Sequence, residues 1–243
     1  MMVTGAAVYL ARMGNDYGSR WRLMICAIDE EHFLRILFVC TGNICRSAMA
    51  EAFLKQELSA VNGRSEVACS SAGLQADEGG APPPEVLSIM QEFGLDISGH
   101  RAHLLSREDV EGADLILAMA MHNSSRLLTE YQEAVDRVFT LKEFVIQGVE
   151  KGREIEERDP AKRLVELRKW IRHIEGLDHD AGEENLNLKL RIFMLHYFHI
   201  YDHRFGIDDP LGQSMDFMRR TALEIRDAVL CLAGSDLLAL TDT

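Results

Sequence analysis

A short apolar run, a small polar loop and a helical pattern follow one another between residues 35 and 60, and this order constrains the fold more than any other feature. The run RILFVC predicts a buried strand, and SAMAEAFLKQEL has the spacing of a helix. The loop TGNIC contains Gly42 and Asn43, two residue types that tolerate a left-handed backbone. A strand that passes directly into a helix is typical of α/β domains built on a parallel sheet.

The alternation of apolar runs and helical patterns continues along the chain. EVACSSAG, ADLILAM and DRVFTL predict three further strands, and Pro82–Pro84 open one of the helices between them. A last helix from about Ser214 carries an apolar stripe formed by Met215, Met218, Ala222, Ile225, Val229 and Leu232. Continuous apolar strands separated by helices indicate a parallel sheet covered on both faces. We therefore predict a doubly wound α/β domain with four parallel strands.

Residues 151–205 depart from this pattern and predict a helical hairpin inserted into the α/β domain. Asp159 and Pro160 are typical of the cap and the first position of a helix. An apolar stripe follows, formed by Leu164, Leu167, Ile171 and Ile174. The polar stretch GLDHDAGEEN predicts the turn, and a second helix at about 184–204 is apolar on much of its circumference. Such a helix is buried on several sides or meets a partner, so the insertion is a candidate surface for self-association.

Residues 1–33 show no clear periodicity, and Met24 lies just upstream of the first strand. Two interpretations remain open for this N-terminal extension. It is either a disordered arm or a gene-model extension ahead of a true translation start at Met24. The domain itself then spans residues 34–243, with the insertion at about 151–205 interrupting it.

Charge, hydropathy and cysteine content argue against several classes of function. A formal net charge of −13 without a basic block disfavours nonspecific binding to nucleic acid or to an anionic membrane. No apolar run approaches the roughly 18 residues of a membrane span, and the N-terminus is a poor match to a signal peptide. Five cysteines form an odd number without the pattern of a small disulfide framework. This usage favours a reducing, cytoplasmic location.

The loop between the first strand and helix has the composition of an anion site with its own nucleophile. Backbone N–H groups and the helix dipole at a helix N-terminus attract a tetrahedral oxyanion. The same field would stabilise a thiolate at Cys40, where the strand ends. Arg46, six residues further on, has the guanidinium that holds two phosphate oxygens at once. The alternative interpretation is a buried structural cysteine beside a surface arginine.

The motif VCTGNICRSAMAE resembles the phosphate-binding loop of the low-molecular-weight protein tyrosine phosphatase family, whose bacterial branch includes protein arginine phosphatases. Further matching segments occur in the family's order: SSAGL (70–74), GLDISGHRAHLL (94–105), ADLILAM (113–119), RVFTLKEF (137–144) and DPLGQS (209–214). They lie within about 35–150 and 207–232, which leaves the N-terminal extension and the insertion unmatched. The resemblance implies a Rossmann-like fold of the phosphotyrosine phosphatase I type.

The resemblance also implies roles for the residues of the loop. Cys40 would attack phosphorus, Arg46 would stabilise the transition state, and Asp209 would protonate the leaving oxygen and later activate water. Ser47 would hydrogen-bond the thiolate, and Asn43 would hold the shape of the loop. The implied substrate-binding set is Thr41, Gly42, Asn43, Ile44, Cys45, Arg46 and Ser47. The implied enzyme hydrolyses phosphorylated proteins or small phosphomonoesters through a phosphocysteine, without a metal or a cofactor.

Three aspartates are candidates for the acid. Asp159 and Asp209 each precede a proline, and Asp208 is the neighbour of Asp209. Asp159 lies nearer to the TLKEF segment, as in an uninterrupted family member, but a helix follows it and capping explains it. Asp209 is followed by Leu-Gly-Gln-Ser and the last helix, as in the family, and is therefore the favoured candidate.

The substrate is less strongly indicated than the chemistry. Family members that act on phosphotyrosine usually place aromatic residues after the Asp-Pro pair and after SAG, whereas this chain has Leu211 and LQADEGGAPPP. Ile44 resembles the tyrosine-directed members, since the arginine phosphatases tend to have threonine there. An apolar side chain suits a phenyl ring better than a guanidinium, which needs polar partners. We therefore favour phosphotyrosine and keep phosphoarginine as the alternative.

Two other functions share this scaffold and are weaker matches. A thioredoxin-coupled arsenate reductase needs two further cysteines on a mobile segment after ADLILAM, where this chain has AMHNSSRL. Cys69 falls on a predicted strand and Cys231 on the core side of the last helix, as buried cysteines do. A non-catalytic phosphopeptide-binding module is the other alternative, but both a nucleophile and an acid are present.

Cys45 and a group of histidines are further candidates. The resemblance implies that Cys45 is a redox partner, forming a reversible disulfide with Cys40 that shields the nucleophile. The alternative for Cys45 is a small residue that fills space. His196, His199 and His203 recur along one flank of the second inserted helix, where interface histidines are commoner than metal ligands. No metal site is therefore predicted.

Overall fold

A computed structural model describes residues 34–60, 67–171 and 203–240 of the chain. These residues belong to one compact unit that runs from Phe33 to Thr243. The predicted extension at 1–33, the hairpin turn and nearly all of the helix expected at 184–204 lie outside the described residues, as do Ile174 and the histidine side chains of that helix. No described helix combines the length and the apolar character needed to cross a membrane.

Strands and helices alternate along the described chain as the sequence patterns predict. In chain order the strands are β1 (Leu34–Cys40), β2 (Val67–Gly73), β3 (Leu115–Ala118) and β4 (Val138–Thr140). The helices are α1 (Arg46–Ala60), α2 (Pro84–Glu92), α3 (Arg107–Gly112), α4 (Met121–Glu130), α5 (Leu141–Glu154), α6 (Pro160–Ile171) and α7 (Met215–Ala233). Short 3-10 turns occupy Gln132–Ala134 and His203–Phe205.

The four strands form one parallel sheet in the order β2-β1-β3-β4. In this register Cys40 lies beside Gly73, and Ala118 lies beside Thr140, so the carboxyl ends of the strands share one edge. The chain first adds β2 on one side of β1 and later adds β3 on the other side. The strand order therefore reverses next to the carboxyl end of β1. Ligands of open α/β sheets bind at such a point. The prediction of a doubly wound, four-stranded parallel sheet is confirmed.

Successive side chains of the central strands alternate between two separate hydrophobic cores. Ile36 and Phe38 of β1 lie in the larger core, which they share with apolar residues of α1, α2, α5, α6 and α7. Leu37 and Val39 lie in the smaller core, with residues of α3 and α4. A strand buried on both faces has no polar alternation, which explains the continuous apolar run RILFVC.

The last helix packs on the sheet through the predicted stripe, with one exception. Ser214 caps it, since the side-chain oxygen accepts a hydrogen bond of 3.2 Å from the Phe217 amide. The stripe residues buried in the larger core are Met218, Ala222, Ile225, Val229 and Leu232. The expectation that Met215 belongs to the buried face is wrong, because its side chain is 36% exposed. Met215 is the first residue of the helix, and Met218, one turn later, is the first stripe residue that reaches the core.

Helix α6, the first part of the predicted insertion, joins the larger core. Asp159 accepts a hydrogen bond of 3.0 Å from the Lys162 amide, as expected of an N-cap before Pro160. The buried stripe consists of Leu164, Leu167 and Ile171. Near the end of α6, Arg168 donates to the carbonyl oxygens of Asp114 and Asp136, which precede β3 and β4. The end of α6 therefore lies at the amino ends of the strands, the sheet edge opposite Cys40.

A buried arginine of α6, Arg163, links this helix to the end of α5 and to the segment after α7. Arg163 is 3% exposed, and its guanidinium donates only to backbone carbonyl oxygens in the contacts described. The acceptors are Gly152, Ile155, Glu157, Ser235 and Leu237, at 2.5–3.0 Å. These carbonyls belong to the end of α5, to the linker between α5 and α6, and to the segment after α7. At Gly152 an added Cβ would overlap the Asp236 carbonyl oxygen, so glycine is required for the contact.

We expect replacement of Arg163 with methionine to lower the free energy of unfolding by about 3 kcal/mol or more, because each buried carbonyl left without a donor costs roughly 1–3 kcal/mol. Equilibrium chemical denaturation measures this change. Lys162→Met is the matched control, since the Lys162 side chain is 70% exposed on the same turn. The control should change stability by less than about 0.5 kcal/mol. A similarly small effect of Arg163→Met would contradict the stabilising role of these hydrogen bonds.

Candidate active site

Cys40 lies at the carboxyl end of β1, and the loop of residues 41–45 leads from it into α1 at Arg46. The Cys40 sulfur is 3.0 Å from the Ser47 hydroxyl and 3.2 Å from the Asn43 backbone nitrogen, whose N–H donates to it. The residue is 3% exposed. The sulfur therefore lies at the N-terminal end of α1 with two hydrogen-bonding partners from the loop and the helix.

Asn43 is the central residue of the loop and has a left-handed backbone, with φ of 53°. Its fully buried amide nitrogen donates to the hydroxyls of Ser47 (2.9 Å) and Ser71 (2.7 Å). Its side-chain oxygen accepts from the His103 amide at 2.9 Å. Every hydrogen-bonding group of this side chain therefore bonds a different part of the scaffold, and the loop has a single well-determined shape.

A second layer of residues holds the partners of Asn43. The Ser71 hydroxyl donates to Glu51 of α1 at 2.5 Å, and the His100 imidazole lies 2.7 Å from the Asn43 carbonyl oxygen. His103 is held between Asp109 (2.8 Å) and Glu78 (3.3 Å). Partial burial opposes the change, but the hydrogen bonds to these two carboxylates raise the pKa of His103. Through these contacts His100 and His103 support the loop around Asn43.

The loop and the sheet approach each other most closely at Gly73, not at Gly42, the glycine of the loop itself. A Cβ at Gly73 would lie 2.8 Å from the Thr41 carbonyl oxygen and 2.9 Å from the Asn43 nitrogen. A Cβ at Gly42 would make an ordinary contact of 3.6 Å with Ile44. The end of β2 therefore packs against the loop only because residue 73 has no side chain. Gly73 is the glycine of SSAGL, a segment that matches the family in sequence. Its close packing against the loop could not be derived from the sequence.

Arg46 lies beneath the loop and contacts the segment that precedes α7. Its guanidinium is 3% exposed and donates from one Nη to the Ile207 carbonyl oxygen at 3.0 Å. The other Nη donates to the Asp209 carboxylate at 2.5 Å. Asp209 is half exposed, whereas Arg46 is buried. Tertiary structure thus joins two candidate residues that are 163 positions apart in the sequence.

The three candidate aspartates differ in their surroundings. Asp209 contacts Arg46, and its second carboxylate oxygen accepts from the Leu211 amide at 3.1 Å. Asp208 is exposed at the surface. Asp159 bonds the first turn of α6. Among these three, the described ion pair with Arg46 involves Asp209.

Cys45 occupies the loop position next to Arg46 and is buried. Burial raises the pKa of Cys45 to about 12, with the charges of Cys40 and Asp209 acting in the same direction and Arg46 opposing them. Both Cys40 and Cys45 are free thiols here. At neutral pH Cys45 is therefore a protonated, weakly nucleophilic thiol.

The first turn of α4 contributes two residues to the site that the sequence analysis did not identify. The Asn123 side chain donates to the Thr41 hydroxyl at 3.2 Å and is almost completely buried. Its neighbour His122 is exposed, and the charges of Arg46 and Asp209 both act on it. Although the residue is exposed, partial desolvation of its imidazole and the charge of Arg46 lower the pKa of His122, while Asp209 opposes them. The only available signal was their position directly after β3, where residues at a sheet's carboxyl edge meet a ligand.

Aliphatic side chains occupy the positions where the sequence analysis found no aromatic residue. Ile44 is partly exposed in the loop, and Leu211, two residues after Asp209, is 48% exposed. Among the residues that the structure describes, no group of three or more His, Cys, Asp or Glu side chains is arranged to hold a metal ion.

Comparison with known proteins identifies relatives of this chain. The profile of the family "Low molecular weight phosphotyrosine protein phosphatase" matches residues 35–177. The protein-arginine-phosphatase of Geobacillus stearothermophilus is 38% identical over 112 residues, which are 46% of this chain and 71% of that protein. A probable low molecular weight protein-tyrosine-phosphatase, EpsP, of Ralstonia solanacearum is 40% identical over 108 residues, or 44% and 70% of the two chains.

A solved structure shows the same architecture. The low molecular weight protein tyrosine phosphatase from T. tengcongensis superimposes with a TM-score of 0.55 at 30% identity, covering 82% of this chain and 97% of that one. The family profile spans more than half of the chain and includes the loop, the sheet and α6. The chain therefore belongs to the low molecular weight phosphotyrosine protein phosphatase family.

Proposed function

We propose that this protein is a cysteine-dependent phosphatase that hydrolyses phosphotyrosine in proteins through a phosphocysteine intermediate. The observation that carries the proposal is the assembly of a hydrogen-bonded Cys40 sulfur, a buried Arg46 and the Asp209 carboxylate at the carboxyl edge of the sheet. These groups supply a nucleophile, a cation for the phosphoryl oxygens and a proton carrier.

In the first step the Cys40 thiolate attacks phosphorus as the bond from phosphorus to the leaving oxygen breaks. Asp209 in its acid form gives its proton to that oxygen, which matters because a phenol has a pKa of about 10. The substrate's phosphoryl oxygens replace Asp209 on the Arg46 guanidinium, which binds them through two N–H groups. The backbone N–H groups of the loop 41–46 bind the remaining charge.

In the second step the Asp209 carboxylate takes a proton from water as the water oxygen attacks phosphorus. The sulfur–phosphorus bond breaks, inorganic phosphate leaves and the Cys40 thiolate is restored. The bonds from Asn43 and Ser47 to the sulfur stabilise it both as nucleophile and as leaving group. The same three side chains therefore serve both halves of the reaction.

The residues around the loop favour a flat apolar leaving group. Ile44 and Leu211 present aliphatic surface, and a phenyl ring is desolvated there at less cost than a guanidinium. A specific observation supports the alternative substrate, phosphoarginine, since one relative at 38% identity is named a protein-arginine-phosphatase. The relative from Ralstonia solanacearum carries the tyrosine name at 40% identity.

The first test is hydrolysis of matched peptides that carry phosphotyrosine, phosphoarginine or phosphoserine, with a chelator present. We expect release of phosphate from the phosphotyrosine peptide. Its kcat/KM should exceed that of the phosphoarginine peptide by at least about tenfold, which corresponds to ~1.4 kcal/mol of differential transition-state binding. Cys40→Ser should abolish turnover of every substrate.

Ile44→Thr is the matched variant for this comparison, because it changes one side chain of the loop from apolar to polar. Ile44→Thr should bring the kcat/KM values for the phosphotyrosine and phosphoarginine peptides closer together. A wild-type preference for phosphoarginine would reject the tyrosine assignment while leaving the phosphatase intact. Turnover that survives Cys40→Ser would reject the enzyme mechanism itself.

The second test concerns Asp209 as the acid. In Asp209→Asn we expect kcat/KM for phenyl phosphate to fall by roughly 10²–10⁴-fold, the range that a positioned general acid contributes. The activated substrate p-nitrophenyl phosphate should lose far less, since its leaving group needs little protonation. Asp159→Asn and Asp208→Asn are the controls, and each should keep the wild-type ratio of kcat/KM for phenyl phosphate to kcat/KM for p-nitrophenyl phosphate. Equal losses on both substrates in Asp209→Asn would contradict the assignment.

We also propose that Cys45 is the redox partner of Cys40. Peroxide converts the Cys40 thiolate to a sulfenic acid, and the Cys45 thiol condenses with it to give a disulfide and water. Burial is the main cause of the raised pKa of Cys45, and the Cys40 charge adds to it, so oxidation of Cys40 removes one of the contributions that keep Cys45 protonated. The disulfide prevents further oxidation of Cys40 to a sulfinic acid.

A peroxide pulse followed by dithiothreitol tests this proposal. We expect the wild type to recover most of its starting activity, and Cys45→Ser to recover little, because its sulfenic acid proceeds to a form that thiols cannot reduce. Cys231→Ser, which changes a half-buried cysteine of α7, should recover like the wild type. Equal recovery of the wild type and Cys45→Ser would show that Cys45 only fills space.

A further inference from the structure

The chain that precedes Asp209 is held by a lysine that no step of the proposed reaction uses. Lys142 is the second residue of α5, and its ammonium donates to the Gly206 carbonyl oxygen at 3.2 Å. The same ammonium donates to the Glu224 carboxylate of α7 at 2.6 Å. The Lys142 side chain is 21% exposed, so this is a partly buried contact rather than a surface pair.

The start of α5 is itself rigid, which fixes the origin of the lysine. Thr140 and Glu143 form a capping box, with side-chain to backbone bonds of 3.0 Å and 3.1 Å. Thr140 is also the last residue of β4, so the cap joins the helix directly to the sheet. Lys142 therefore extends from the scaffold of the domain rather than from a loop.

The carbonyl that Lys142 binds is directly before the segment that carries the acid. Ile207, the next residue, donates to the Met119 carbonyl oxygen at 2.8 Å and accepts from Arg46 at 3.0 Å. Asp209 follows two residues later and makes the ion pair with Arg46. Lys142 thus makes the first of several contacts that set the path from Gly206 to Asp209.

The contact between Lys142 and Gly206 joins two positions that are 64 residues apart in the sequence. A charge-assisted hydrogen bond to the Gly206 carbonyl, neutralised by Glu224, fixes this segment against the start of α5 at a defined point. Position matters here because a general acid has to lie within hydrogen-bond reach of the leaving oxygen.

We infer that Lys142 is a positioning residue for the reaction: bound to Gly206 and neutralised by Glu224, it places Asp209 for proton transfer to the leaving group. This inference rests on the proposed role of Asp209 as the acid. Lys142 does not touch the phosphate in this arrangement. Its loss should therefore weaken the step that depends on the acid and spare the attack by Cys40.

Lys142→Met is the test variant, since methionine retains an apolar chain but cannot bond either oxygen. We expect its kcat/KM for phenyl phosphate to fall by on the order of tenfold, part of the roughly 10²–10⁴-fold contributed by a well-placed general acid. Its kcat/KM for p-nitrophenyl phosphate should change by less than about twofold on the same grounds. Lys142→Arg, which keeps a cation in this place, should recover much of the loss.

Arg219→Met is the matched control for removal of an ion pair on α7. Arg219 pairs with Glu92 of α2 through two hydrogen bonds of 2.7 and 2.8 Å, and its described side-chain hydrogen bonds involve neither Gly206 nor Asp209. It should keep the wild-type ratio of the two substrates. Thermal unfolding of each variant separates this ratio from loss of folded protein, because a lower folded fraction reduces both rates equally.

The outcomes separate this inference from the proposed function. If Asp209→Asn changes the ratio of the two substrates and Lys142→Met does not, the inference is overturned and the acid assignment stands. If Lys142→Met lowers both rates equally, Lys142 is structural only and the inference is likewise overturned. If the wild type hydrolyses neither substrate, or Cys40→Ser hydrolyses both, the proposed function fails and the inference fails with it.

Discussion

The buried side chain of Asn43 is the interaction on which the rest of the site depends. It bonds Ser47 in α1, Ser71 in β2 and the backbone at His103, while its own N–H donates to the Cys40 sulfur. These bonds hold a left-handed residue inside a loop that would otherwise have many shapes. Because the loop is fixed before any ligand binds, its donors can stabilise developing charge without reorganising.

Arg46 has an equally central place in the tertiary structure, on the other side of the loop. Its buried guanidinium bonds both Ile207 and Asp209, so the cation that would hold phosphate also holds the segment that carries Asp209, the proposed acid. A buried charge with well-aligned partners is costly to leave unpaired, which keeps the segment in place. Lys142 adds a second cation, which binds the same segment one residue earlier at Gly206.

Much of the fold was predictable because its signals are local. The continuous apolar strands, the Asp159 cap and the stripe of α7 each follow from periodicity or capping within a few residues. Met215 was assigned to the wrong face, since periodicity does not say where along a helix the core begins. Gly73, His122 and Lys142 were not identified, because the importance of each comes from a neighbour distant in the chain.

The sequence by itself determined the parallel α/β architecture and predicted the chemistry that we propose for residues 40–47. In that stretch the proposed nucleophile, the turn residues and the guanidinium are neighbours along eight positions, so local backbone geometry suffices to bring them together. Only the tertiary structure decided which aspartate meets Arg46 and what supports it. Asp209 lies 163 residues away, and its place depends on how the strands are ordered and how α5 and α7 pack beside them. Such contacts arise from the packing of the whole domain, which no short pattern in the chain encodes.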